Sequence, residues 1–182
     1  MRLCLFPILV ASSLFASTAS AAPDPRAEDA ANAFSGLCLS MFAGRQPDVD
    51  TKRFEITKFD EATKKRIKPH VQADALWNVQ GRASGAMMLV HYEPTGLCVV
   101  EVAEADERSV QDSVRAVADV AARALGQAAT EQPVSRKKVQ GLTATNSSWR
   151  FPTPKGDVLV MVTTVPEPKF MIQHVITASY VR

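Results

Sequence analysis

The sequence predicts an α+β fold: a two-layer sandwich in which an antiparallel sheet of about five to six strands carries two main helices on one face. Three observations predict it. Segments 24–44 and 106–126 repeat apolar residues at helical spacing. Between them, a Pro- and Gly-containing turn at Glu93–Gly96 joins two apolar runs of period two. Beyond Pro133 the chain becomes rich in short β-prone runs joined by tight turns. Short connections call for antiparallel pairing, and an amphipathic helix needs a sheet on which to bury its stripe.

The chain opens with Arg2, an apolar run Leu3–Phe15 and a tail of small residues, the layout of a secretory signal peptide. The run falls short of the ~20 apolar residues that cross a bilayer. Ala19-Ser20-Ala21 supplies an A-x-A cleavage pattern, so residues 1–21 are expected to be removed, Cys4 with them, leaving 22–182 as a single α+β domain, periplasmic or secreted. No later run is apolar for long enough to cross a membrane. Removing Arg2 from the 21 basic residues leaves 20 against 19 acidic ones, a balance that argues against a nucleic-acid partner.

The first helix begins at Asp24 as cap and Pro25 as first residue, and stops at Gly44. Its apolar face holds Ala27, Ala30, Ala31, Phe34, Leu37, Cys38, Met41 and Phe42. A short helix is expected from Glu61 to Ile67. "DALWNVQG" reads as a strand carrying Trp77, followed by a hairpin of strands 86–92 and 97–102. The second helix, capped by Asp106 and ended by Gly126, aligns Val110, Val114, Val117, Ala121, Ala124 and Leu125. Three further strands are expected in "VQGLTATNSSWRF", "DVLVMVTTV" and "FMIQHVITASYVR".

Cys38 and Cys98 are the pair left after cleavage. They are distant in sequence, lack metal-ligand spacing, and each falls on an apolar face, which predicts a disulfide from the first helix to the central hairpin. A reactive thiol pair would instead be close in sequence and exposed at a helix start.

No catalytic signature, cofactor motif or zinc spacing is present. Ser84 lacks the G-x-S-x-G elbow. The most unusual stretch is "TKRFEITKFDEATKKRIKPH", where Lys52, Arg53, Lys58, Lys64, Lys65, Arg66 and Lys68 outnumber Glu55, Asp60 and Glu61. Those seven residues are the candidate anion-binding set, suited to an anionic envelope component. The partly polar face of the sheet is a second candidate surface.

An exported helix ending "FSGLCLSMF", a Trp-containing strand and a "GLCVVEV" hairpin together resemble a group of small proteobacterial envelope proteins, some of them lipidated, that carry no assigned activity. The resemblance implies a helix-to-hairpin cysteine pair and, with no lipidated cysteine here, a non-lipidated periplasmic form; it brings no catalytic residues. The expected function is a non-enzymatic binding or accessory module for an envelope component or protein partner. Two alternatives are a small secreted hydrolase assembled around His91 and His174, and an inhibitor presenting the loop "VPEPKF" to another secreted protein. The sequence names neither ligand nor oligomeric state.

Overall fold

The structure, a computed structural model, describes residues 22–139, 141–167 and 171–181. The expected signal peptide lies outside the described residues.

Helix α1 (Pro25–Phe34) starts where the sequence places it: the Asp24 side chain accepts from the Arg26 amide at 2.9 Å, and Pro25 takes a position whose amide would have no helical partner. The rod continues through a π turn (Ser35–Leu39) into one turn of α-helix, α2 (Ser40–Phe42). The π turn shifts the buried face, and Leu37, Cys38 and Leu39 are buried consecutively along it. It also explains why Leu39, off the expected stripe, is in the core.

The sheet is larger than the sequence suggested. Instead of five to six strands there are nine among the described residues, all antiparallel: β1 (Phe54–Lys58), β2 (Ala75–Gly81), β3 (Met87–Tyr92), β4 (Cys98–Val102), β5 (Thr130–Glu131), β6 (Ser135–Val139), β7 (Leu142–Thr153), β8 (Gly156–Thr164) and β9 (His174–Tyr180). Their order is β1-β2-β3-β4-β9-β8-β7-β5, with β6 also on β7. The extra strands are β1, β5 and β6, short segments at the two edges. One expected strand, beginning at Val139, is in fact a hairpin: Val139 pairs with Leu142 across Gly141, whose φ of 86° suits glycine.

Helix α4 (Glu107–Ala124) is capped by Asp106, which accepts from the Ser109 amide at 2.8 Å. Its fully buried stripe is Val110, Val114, Ala118 and Ala122, rotated from the expected one, and Ala124 is exposed. The rotation follows from α4 having two neighbours, the sheet and α1. The small residues Ala118 and Ala122, with Ala27, Ala30 and Ala33 of α1, join the same core cluster. Helices α1 and α4 thus cover the first face, on which Val90, Cys98, Val100, Val160, Val162, Ile176 and Ala178 are buried.

The third helix, α3 (Glu61–Ile67), belongs to the opposite side. Lys68, just past its end, is ion-paired with Glu101, and the Phe59 amide donates to the Leu76 carbonyl at 2.9 Å. Leu76, His91 and Val99 on this second face are consequently buried.

Cys38 and Cys98 are disulfide-bonded, their Cα atoms 5.5 Å apart and both side chains fully buried. Cys98 stands opposite Tyr92 on one side and Ala178 on the other, so the bond fastens the π turn to the middle of the sheet.

Candidate binding surface

The basic segment folds into a line of separately engaged cations. Arg53 pairs with Glu28 at 3.0 Å and with buried Asp29. Lys64 is buried, donates to the Ala73 and Asp74 carbonyls at 3.0 and 3.2 Å, and pairs with Glu61. Lys68 is held by Glu101. Lys52, Lys58, Lys65 and Arg66 are exposed, on or around β1 and α3. Three of the seven candidate anion ligands are therefore engaged in holding α1, α3 and the sheet together.

The two histidines proposed as a site core do not meet. His91 is on the second face, in line with Val99 and Thr177, whereas His174 is on the first, in line with Val102 and Thr164. His174 is fully buried, its Nε2 donating to the Ala105 carbonyl at 2.9 Å beside the start of α4. Burial lowers its pKa, partly opposed by the Ala105 carbonyl and by Glu107, Asp106 and Asp24. Ser84 donates to Asp29, which also accepts from Arg53, so that its hydroxyl tethers α1 to the β2–β3 turn. Of the loop "VPEPKF", residues 168–170 lie outside the described residues.

What the fold does assemble is a continuous second face. Leu76, His91, Val99, Thr177, Met161 and Ser148 line up across β2, β3, β4, β9, β8 and β7. The adjacent row is Asn78, Leu89, Glu101, Val175, Thr163 and Asn146. The two rows differ from one end to the other. Over β2 to β4 the first row is buried, whereas Thr177, Met161 and Ser148, with Val175 and Leu159, remain partly exposed.

At the junction lies a groove of about 160 Å³, lined by Asn78, Met87, Leu89, Glu101, Met171 and Ile172 among others. Met87 and Met171 are 58% and 90% exposed, unusual for thioether side chains. Glu101 is the only ionisable side chain in its row; Oε1 holds the Lys68 ammonium, and Oε2 is buried without a hydrogen-bond partner. Beside it, His91 Nε2 lies 3.5 Å from Glu93 Oε1, and Nδ1 is likewise buried and unpartnered. Burial lowers the His91 pKa, with Glu101 and Glu93 opposing and Lys68 reinforcing the shift, so the imidazole is neutral at neutral pH. Sequence spacing put Glu101 on the face opposite Cys98 but gave no sign that a lysine 33 residues upstream would partner it.

The first face has a cleft of its own, about 200 Å³, between the end of the first helical rod and the C-terminal half of α4. Phe42, Val120, Leu125 and Phe151 line it, with Arg45 at its rim.

No protein-family model matches the chain, and no curated protein or solved structure shows significant similarity to it.

Proposed function

We propose that the chain is an exported, non-catalytic binding module of the cell envelope that docks a protein partner on the second face of its sheet. The observation that carries this reading is the partly exposed apolar strip Leu159, Met161 and Val175, bordered by Thr177 and Thr163, on a sheet whose other face is filled by two helices. A broad sheet surface mixing aliphatic and hydroxyl side chains suits a protein more than a small substrate, which needs a deep enclosing pocket with convergent polar groups. The signal-like start of the sequence and the buried disulfide support an oxidising compartment outside the cytoplasm. No helix among the described residues is long and apolar enough to cross a membrane.

The test compares retention of the wild-type chain on detergent-solubilised envelope proteins, on isolated cell-wall polymer and on anionic vesicles with that of three variants. Met161→Glu and Val175→Glu place a charge on the docking face and are expected to cut retention on the protein fraction about tenfold or more, since burying an unpaired charge is costly. Val120→Glu, on the opposite side of the molecule, is expected to leave it unchanged. Equal retention of all three variants would reject the surface, and retention only on polymer or vesicles would reject a protein partner.

A further inference from the structure

We propose that the groove beside Glu101 is a subsite for an organic cation on an apolar stem, taking a lysine or arginine side chain of the partner; this rests on the second face being the docking surface. Two observations support it. Glu101 lines the groove and holds Lys68 through one carboxylate oxygen only, leaving Oε2 buried and without a donor. Buried carboxylate oxygens in folded proteins are nearly always hydrogen-bonded, so the open Oε2 calls for a donor. Finally, the remaining walls are Met87, Leu89, Met171 and Ile172, which offer an alkyl stem a dry contact surface, the two methionines being unbranched chains that re-pack readily around a guest.

The class of ligand follows from these features together. A carboxylate or phosphate would meet Glu101 head-on, and a neutral alkane would leave Oε2 unpaired. A primary ammonium or guanidinium supplies N–H donors to Oε2 while its methylenes lie along the methionines, as lysine and arginine side chains do when their stems are buried and their heads are charged.

The probe is n-butylammonium chloride, titrated onto the full chain with the Met87 and Met171 ε-methyl resonances as readout. Saturable shifts of both methyls are expected, with n-butanol binding about tenfold more weakly or less and n-butanesulfonate not at all. Glu101→Gln and, independently, Met87→Lys are expected to abolish the ammonium response while the far-ultraviolet circular dichroism stays that of wild type. Absence of a saturable response, equal binding of butanol, or a response that survives in both variants would overturn the subsite. Should the ammonium fail to bind while Met161→Glu still abolishes partner retention, the subsite falls and the docking face stands; if both fail, the docking face falls as well.

Discussion

Cys38, in a π turn at the end of the first helix, is bonded to Cys98 in the fourth of nine strands, and neither side chain touches solvent. The bond joins residues 60 apart in sequence, and in the chain-entropy account closing such a loop stabilises by about 4 kcal/mol. A Cys38→Ser/Cys98→Ser chain is expected to lose that amount in urea unfolding, with an increased m-value because the unfolded chain is no longer cross-linked. An unchanged midpoint would place the stabilising contacts elsewhere.

Gly81 of β2 faces Asp29 of α1. A Cβ there would overlap both Asp29 Oδ2 and Ser84 Oγ, atoms of one buried hydrogen-bonded cluster that Arg53 completes. Gly81→Ala is expected to cost about 1–3 kcal/mol, as overpacking does, and Asp29→Ala about 1–3 kcal/mol through the lost Arg53 and Ser84 hydrogen bonds. Thermal unfolding of the two variants measures it.

Lys64 and Lys65 are neighbours in sequence with opposite surroundings. Lys64 is buried and donates to the Ala73 and Asp74 carbonyls; Lys65 is exposed. Lys64→Glu removes the donor and sets a carboxylate against those two carbonyl oxygens, an expected loss of about 3 kcal/mol or more. Lys65→Glu is expected to stay within about 0.5 kcal/mol of wild type. Chemical unfolding of both distinguishes structural from solvated members of the basic segment.

Both buried histidines give stability a defined pH dependence. Burial holds His91 and His174 below the ordinary imidazole value of 6.5, so on acidification the unfolded chain takes up protons that the folded chain does not. The sign follows: their contribution is flat above about pH 6.5 and stability falls as pH drops below it. The carboxylates add their own loss only at lower pH. Burial raises the Asp24 pKa, but the Arg26 hydrogen bonds outweigh it, and the Ser109 hydroxyl and amide lower that of Asp106, so both remain ionised down to below 3.8. Urea midpoints at about pH 7.5 and about pH 5.5 are expected to differ in this direction, and His174→Gln is expected to shrink the difference.

Much of the scaffold was legible from local chemistry. The Asp24 and Asp106 caps and the Glu61–Ile67 helix announce themselves through residues that act within a few positions of where they stand, and the cysteine pair through the apolar face on which each half falls. The edges of the sheet did not. β6 is Ser-Arg-Lys-Lys-Val with every side chain exposed; a strand that buries nothing carries no period-two signal, and its row of basic residues is what keeps a sheet edge from pairing with another chain. In β7 the buried side switches, from Leu142 and Ala144 near Val165 to Ser147, Trp149 and Phe151 beneath the helices, so its alternation looked polar on both faces. The candidate surface was hidden for a different reason. The groove joins Met87 and Glu101 of the β3–β4 hairpin to Met171, just before β9, and only the pairing of β4 with β9 brings the last alongside.

The central claim is that partners meet the second face of the sheet, and site-specific photocrosslinking in intact cells tests it most directly. A photoreactive residue at Met161 is expected to give a discrete higher-mass adduct that is absent when it is placed at Val120, on the far side of α4. Adducts from position 120 with none from 161 would contradict the account.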